Sequence, residues 1–221
     1  NIDLCMDIMF VNQIPMLTTI DRTIRFRSLV PLENRTHEEV YKGLDQILRF
    51  YNKGNYKIRT IYCDGEFKAM MDTVSDDLDV EMNYTNAQDH VPEAERNNRT
   101  IKERIRAAYH RLPFKKLPRN ILKYLCMVQV NQLNLFPAKG GISKYYSPRM
   151  ILTQESLDYN KHCKIPLGSY VQANHETNQT NTNVARTIDC IYLRPNTNIQ
   201  GGHQLMDLTT GLVITRAHVD R

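Results

Sequence analysis

The order of strand-like and helix-like stretches in the first part of the chain constrains its fold more than any other feature. Apolar and polar residues alternate over residues 2–11, and two further strand-like runs, 14–20 and 24–32, follow across short polar breaks. Three consecutive strands joined by short breaks predict an antiparallel meander.

A helix and a parallel strand are predicted to follow this meander. Thr36 and Glu39 fit a capping box, and apolar residues then recur at helical spacing until Lys53-Gly54 ends the pattern. A strand that follows a crossover helix pairs in parallel, and residues 56–63 have the required apolar run. A short helix, a short strand at 78–84, and helices near 92–112, 118–135 and 148–152 come next. We therefore predict an α/β fold with a mixed five-stranded sheet and flanking helices.

The last part of the chain has an all-β pattern. Four short apolar strands at 169–173, 187–193, 203–208 and 212–219 are separated by polar loops at 174–183, 195–202 and 209–211. Short strands with this spacing predict a small barrel. Helical character ends by residue 158, so the predicted domains are 1–157, the α/β domain, and 164–221, the barrel.

The helix that begins at Pro92, after a polar loop at 85–91, is basic beyond its first turn. Ten Lys or Arg side chains and two acids occur between residues 95 and 123. One face of the helix, at about 100° per residue, combines an acid with three cations: Glu95, Arg99, Lys102 and Arg106. Either this face is simply solvated, as in an ordinary amphipathic helix, or it binds a phosphate backbone.

Three carboxylates occur at positions that this topology can bring together. Asp7 projects from the first strand, Asp64 ends the parallel strand, and Glu95 lies on the basic helix. The carboxyl ends of parallel strands are where open α/β sheets place their sites. Carboxylates suit Mg²⁺, and two such ions can clamp the attacking and leaving oxygens of a phosphoryl transfer. Glu93 competes with Glu95 for the third position.

The composition of the chain narrows the classes of protein to which it can belong. The net charge is +5, and the five cysteines are scattered without a Cys-x-x-Cys pair, a pattern that indicates reduced thiols of an intracellular protein and no zinc site. No apolar run has the length of a membrane span. The chain starts within strand-like sequence and without Met, so we expect it to be a segment of a longer polypeptide.

The chain resembles the integrases of copia-type long-terminal-repeat retrotransposons. The segments that carry the resemblance are MDIMFVN at 6–12, YCDGEF at 62–67, AERNNRT at 94–100, SP at 147–148, and 202–219 with DLTTG at its turn. The resemblance therefore extends over nearly the whole chain. The chain departs from the family in the spacing of 31 positions from Asp64 to Glu95, in having Gly65 alone after Asp64, and in lacking a Gly ahead of Glu95 and an upstream His/Cys module.

The resemblance implies a polynucleotidyl transferase with an RNase H-like core and a trailing β-barrel for DNA binding and assembly. The implied catalytic and metal-binding triad is Asp7, Asp64 and Glu95, which would hold two Mg²⁺ or Mn²⁺ ions. The candidate DNA-binding residues are Arg96, Arg99, Lys102 and Arg106. Such an enzyme trims the 3′ ends of the element's DNA and joins them to target DNA, so its partner is double-stranded DNA. We also expect a homo-oligomer without membrane contact, acting in a cytoplasmic particle and the nucleus.

Two other functions stay open at this point. One is a catalytically inactive or host-adopted domain that still binds nucleic acid through the basic helix. The other is an RNase H-type nuclease, which would require a further carboxylate facing the site from the first helix. The acids of that helix, Glu38, Glu39 and Asp45, have the pattern of cap and surface residues.

Overall fold

The computed structural model describes residues 1–85, 91–175, 183, 185–196 and 201–220. Residues 86–90, 176–182 and 197–200, which belong to the predicted loops at 85–91, 174–183 and 195–202, lie outside these ranges. Contacts between Cα atoms divide the chain into two compact units, Asn1–Arg111 with Gln129–Ser156, and Leu112–Val128 with Leu157–Arg221. These units do not test where independently folding domains begin and end, so the domain ranges 1–157 and 164–221 stay a prediction.

The first unit contains a mixed sheet. Its strands are β1 (Ile2–Val11), β2 (Ile14–Asp21), β3 (Arg27–Pro31), β4 (Ile58–Cys63) and β5 (Glu81–Tyr84), in the spatial order β3-β2-β1-β4-β5. β1, β2 and β3 pair antiparallel, whereas β4 pairs parallel to β1 and β5 parallel to β4. The predicted meander and the predicted parallel strand are both confirmed.

The helices follow the predicted order with two differences. They are α1 (His37–Lys53), a 3-10 turn (Gly65–Met70), α2 (Met71–Leu78), α3 (Pro92–Tyr109), α4 (Arg119–Leu133), α5 (Pro148–Thr153) and α6 (Tyr159–His162). The strand predicted from residue 78 begins only at Glu81, because Leu78 still belongs to α2. The prediction that helical character ends by residue 158 was wrong, since the Asp158 side chain accepts hydrogen bonds from the Asn160 and Lys161 amides and starts α6.

The third strand begins later than its apolar pattern predicts. The Asp21 carboxylate accepts hydrogen bonds from the backbone amides of Thr23 and Ile24, the latter at 2.7 Å, and so closes a turn there. Arg25 then has a positive φ of 65°, outside the extended region. The chain becomes extended only at Arg27.

Helices cover both faces of the sheet. Alternate residues of β1, namely Ile2, Leu4 and Met6, are buried in the core that includes the apolar stripe of α1. Cys5 faces the opposite way and packs with Ala94 of α3. Because side chains alternate along a strand, Asp7 leaves β1 on the Cys5 side and therefore on the α3 side.

The second unit contains an antiparallel sheet. Its strands are β6 (Tyr170–Asn174), β7 (Thr187–Pro195), β8 (His203–Asp207), β9 (Val213–Arg216) and β10 (Val219–Asp220), in the order β10-β6-β7-β8-β9. The core residues of this sheet include Val171, Cys190 and Leu205. The all-antiparallel sheet agrees with the predicted small β part of the chain, and its closure into a barrel stays a prediction.

The turn between β8 and β9 explains the DLTTG sequence. One carboxylate oxygen of Asp207 accepts from the Thr209 amide at 2.8 Å, and the other accepts from the Thr210 hydroxyl at 2.8 Å. These bonds lower the pKa of Asp207. Gly211 has a φ of +71°, which glycine adopts at the lowest steric cost.

The structure has no disulfide bond among its five cysteines, all of which lie in the described ranges. All five cysteines are free thiols. None of the helices in the described ranges combines the length and the apolar character needed to cross a bilayer.

We predict that Gly54→Ala destabilises the first unit. A Cβ at position 54, just after α1, would overlap the backbone carbonyl oxygen of Leu152, which cannot rotate away as a side chain can. The expected loss in free energy of unfolding is about 2 kcal/mol, as for an overpacked core. Chemical denaturation measures it, and the exposed Lys53→Ala is the control, with an expected change within about 0.5 kcal/mol. Equal stability of both variants would contradict the tight approach of Leu152 to Gly54.

Candidate active site

The Asp7 carboxylate is held between β1 and α3. The Ile8 amide donates to its Oδ1 at 2.7 Å, and Asn98 of α3 donates through Nδ2 to its Oδ2 at 2.6 Å. The Thr18 hydroxyl of β2 donates to Asn98 Oδ1 at 2.6 Å. Because that oxygen is occupied as an acceptor, the amide group of Asn98 must turn its NH₂ towards Asp7.

Asn98 and Thr18 were not among the predicted site residues. Both are buried, and Thr18 lies opposite Asp7 in the antiparallel register. A signal for Asn98 was present in the sequence, because buried positions of an amphipathic helix are normally apolar and Asn97-Asn98 interrupts the stripe of α3. The sequence did not reveal the partner of the amide, which comes from a strand 91 residues away.

The protonation of Asp7 depends on the acids around it. The pKa of Asp7 is raised to about 6, chiefly by burial and also by the negative charges of Asp64 and Glu66, while the hydrogen bond from the Ile8 amide and the charge of Lys102 act in the opposite direction. Burial and like charge both disfavour the ionised carboxylate. A cation at this position would relieve that cost.

Asp64 lies next to Asp7 across the parallel strands. The register pairs Cys5 with Tyr62, and Asp7 and Asp64 each lie two residues further along. The backbone of Asp64 is still extended, with φ −74° and ψ 161°, so its side chain leaves the α3 face of the sheet like that of Asp7. Strand neighbours are about 5 Å apart, a spacing that agrees with the effect of Asp64 on the pKa of Asp7.

Glu95 and Asp7 line one cleft. Its volume is about 520 Å³, and its other lining residues come from α3: Asn98, Arg99, Lys102, Glu103 and Arg106. Asp64 is not among the lining residues. Within the described ranges, no three His, Cys, Asp or Glu side chains are arranged as a ready set of metal ligands. The structure therefore brings Asp7 together with each of the other two predicted acids, but does not gather all three around one point.

Glu93 is directed away from this cleft. Its carboxylate forms an ion pair with Arg22 at 3.3 Å, and the Arg22 guanidinium lies over the ring of Tyr62, 3.8 Å from its centroid. Two residues along a helix correspond to about 200° around its axis. This separation explains why Glu95 lines the cleft while Glu93 pairs with a turn residue.

Glu66 is a further acid that affects the pKa of Asp7. It lies in the 3-10 turn after Asp64, forms an ion pair with Arg35, and still raises the pKa of Asp7. An α-helix that started directly after Asp64 would turn Glu66 away from Asp7. The 3-10 turn keeps its charge within range of Asp7.

The four predicted DNA-binding cations are all exposed on α3, but not on one face. Arg99, Lys102 and Arg106 line the cleft beside Asp7 and Glu95. Arg99 also pairs with Glu103 at 3.3 Å, an exposed contact of little energetic weight. Arg96 instead donates to the Pro92 carbonyl oxygen at 3.2 Å and does not line the cleft.

The donor chemistry of this region fits a hard divalent cation. Its acids supply only carboxylate oxygens, the ligand type that Mg²⁺ and Mn²⁺ prefer. The pKa of Asp7, raised to about 6 with neighbouring acids contributing, marks a place where positive charge is favoured. Asp7, Asp64 and Glu95 are thus suitable ligands by chemistry.

Comparison with known proteins shows the fold. No protein-family model matches the chain. No curated protein matches it in sequence either. Among solved structures, the chain is similar to the catalytic core domain of BIV integrase, with a TM-score of 0.51 at 15% sequence identity, over 69% of this chain and 93% of that one. The first unit therefore has the RNase H-like fold of retroviral integrase cores, and the predicted fold class is confirmed.

We predict that Asp64→Asn lowers the pKa of Asp7 from about 6 towards its ordinary value of 3.8, because a neighbouring negative charge is removed. The folded protein holds the Asp7 proton more tightly than the unfolded chain does, so its stability falls as pH rises from about 4 to about 6. Asp64→Asn should flatten that fall. Carboxyl ¹³C NMR titration without metal measures the pKa.

Glu81→Gln, at the opposite end of the parallel strands, is the control for this titration and should leave the pKa of Asp7 unchanged. An unchanged pKa in Asp64→Asn would show that the two carboxylates are not neighbours.

Proposed function

We propose that the chain is the catalytic core and the following β module of an integrase of the copia-type retrotransposon class. It would remove nucleotides from the 3′ ends of the element's DNA and then join the new 3′-hydroxyls to target DNA. The observation that carries the proposal is the cleft in which Asp7 and Glu95 lie beside Arg99, Lys102 and Arg106, with Asp64 next to Asp7.

Asp7, Asp64 and Glu95 would hold two Mg²⁺ or Mn²⁺ ions. When bound, the ions supply positive charge at the attacking and leaving oxygens of the phosphodiester. The chain's own contribution is placement: Asn98 orients the Asp7 carboxylate, and the Ile8 amide fixes its second oxygen. Side chains held in this way meet the geometric demand of a two-ion site better than side chains on a loop.

The cations of α3 would bind double-stranded DNA by its phosphates. Arg99, Lys102 and Arg106 recur on one helix face, so they can follow a backbone that leads into the cleft. Arg96 would contact phosphate outside the cleft. The element's DNA ends and the target DNA are both substrates in this proposal, and a homo-oligomer acting in a cytoplasmic particle and the nucleus belongs to the same proposal.

The arrangement of helix α1 disfavours the nuclease alternative. Its acids are engaged at the surface, with Glu38 paired to Lys42 at 2.7 Å and Asp45 to Arg49 at 2.9 Å. α1 packs in the core formed by Leu4 and Met6, on the face of β1 opposite to Asp7. Glu38 and Asp45 are therefore paired with neighbouring cations of their own helix and not with the site of Asp7.

A strand-transfer assay with oligonucleotide ends, run with Mg²⁺ and with Mn²⁺, tests the proposal directly. Asp64→Asn should abolish end processing and strand transfer together, because both steps need the same ions. A protein that binds DNA but shows no metal-dependent product would favour the non-catalytic alternative.

We predict that Glu95→Gln abolishes catalysis and that Glu93→Gln retains most of it. Glu95 lines the cleft with Asp7, whereas Glu93 pairs with Arg22 and lies in the first turn of α3, where a carboxylate interacts with the helix dipole. Both variants remove one charge from the same helix, so each is the matched control of the other. The reverse pattern of activities would mean that the other face of α3 meets the substrate.

We predict that the double variant Arg99→Ala and Lys102→Ala binds duplex DNA more weakly and with a smaller salt dependence. Each lost phosphate contact lowers the slope of log K against log salt by about one unit, so the expected decrease is about two. Titration across a series of salt concentrations measures it. The matched control, Lys53→Ala with Arg104→Ala, removes the same charge from exposed positions outside the cleft and should keep the slope. Identical slopes in both double variants would show that this face of α3 is solvated and does not contact DNA phosphates.

A further inference from the structure

A loop of the first unit, residues 136–146, presents large apolar side chains to solvent. We call it the aromatic loop. Its exposed side chains are Phe136 (60% exposed), Ile142 (67%), Tyr145 (88%) and Tyr146 (54%). Tyrosines and phenylalanines on a surface usually bury part of their rings, so three exposed rings and an exposed isoleucine within eleven residues indicate a contact surface.

Hydrogen bonds hold this loop in a defined conformation. Its ends are joined by the Arg149 amide, which donates to the Asn134 carbonyl oxygen at 3.0 Å. The Ile142 amide donates to the carbonyl oxygen of Thr23, in the turn between β2 and β3, at 3.2 Å. Inside the loop, Ser143 Oγ accepts from the Tyr145 and Tyr146 amides at 3.1 and 2.9 Å. The backbone that carries the exposed rings is therefore held in one conformation.

The surroundings of the rings carry positive charge. The sequence has no Asp or Glu from residue 104 to residue 154. Lys139 and Lys144 are exposed within the loop, and Arg25 reaches the loop through a bond from its Nε to the Gly140 carbonyl oxygen at 3.4 Å. Asp21, in the adjoining turn, is buried and accepts backbone amides. A second copy of this chain, with a net charge of +5, is electrostatically a poor partner for such a surface.

From these observations, we propose that the aromatic loop binds an unpaired nucleic-acid strand, with bases stacked on Tyr145 and Tyr146 and phosphates paired with Lys139 and Lys144. Exposed aromatic rings among cations are the usual means of binding single strands, because every base has a face to stack and every linkage carries a charge. A duplex offers the same phosphates but keeps its bases stacked internally. The loop therefore distinguishes unpaired from paired strands.

This surface is separate from the cleft that contains Asp7. The turn that holds the loop lies beside the start of β1, where the Arg22 amide donates to the Asp3 carbonyl oxygen at 3.0 Å. Asp3 and Asp7 are four strand residues apart, about 13 Å. Binding at the loop can consequently be measured whether or not the cleft is catalytic.

Fluorescence anisotropy with labelled strands of about 12 nucleotides tests the inference. The probes are oligo-dT, oligo-rU and a mixed-sequence duplex. Tyr145→Ala combined with Tyr146→Ala should weaken binding of an unpaired strand by at least about tenfold, since each stacked base contributes about 1–3 kcal/mol. Duplex binding and the salt slope should stay unchanged, because no charge is removed. An equal loss of affinity for oligo-dT and oligo-rU would show that the unpaired base is the recognised group. An unequal loss would show that the sugar is recognised as well.

Two control variants show whether any loss of affinity comes from the rings of Tyr145 and Tyr146. The Tyr145→Phe and Tyr146→Phe pair keeps the rings and should keep the affinity, which separates stacking from hydroxyl hydrogen bonding. Tyr159→Ala removes a tyrosine outside the loop whose exposure, 67%, lies between those of Tyr145 and Tyr146, and it should have no effect. The inference is overturned if the alanine pair binds single strands normally, if it loses duplex binding to the same extent, or if it changes only the oligomeric mass in light scattering.

Discussion

The hydrogen bond from Asn98 to Asp7 joins helix α3 to the central strand, and the candidate site depends on it. Thr18 of β2 fixes the amide orientation of Asn98, so three elements meet at one carboxylate. A buried polar group without a partner costs about 1–3 kcal/mol, which gives this short network structural weight as well as a positioning role. Because α3 is aligned in this way, its following turns bring Lys102 and Arg106 to the same cleft.

The candidate site combines acidic side chains around Asp7 with basic side chains on α3. Burial and neighbouring acids raise the pKa of Asp7 to about 6, whereas the cations of α3 lie a turn or two further along the helix. A site built from crowded carboxylates is costly without a cation and favourable with one. The proposed function rests on this combination of crowded carboxylates and exposed arginine and lysine side chains.

Parts of the site were predictable from residue patterns, and parts were not. Helical periodicity alone places Glu95 and Glu93 on different faces of α3, because two residues along a helix are about 200° apart around its axis. Periodicity could not show that Arg22, from a distant turn, would pair with Glu93. It also could not show that a 3-10 turn after Asp64 would keep Glu66 near Asp7, since a one-residue difference in how a helix starts redirects the side chains that follow.

The sequence by itself determined the antiparallel meander and the parallel strand of the first sheet, the run of short strands at the end of the chain, and the basic face of α3. These properties follow from local patterns: period-2 and period-3.6 hydrophobicity, caps, and the rule that a crossover helix leads to a parallel strand. Only the tertiary structure decided that Asn98 and Thr18 support Asp7, and that Asp64 is adjacent to Asp7 without lining its cleft. Such contacts join residues far apart in the chain, and their geometry depends on register and helix orientation, which local pattern does not specify.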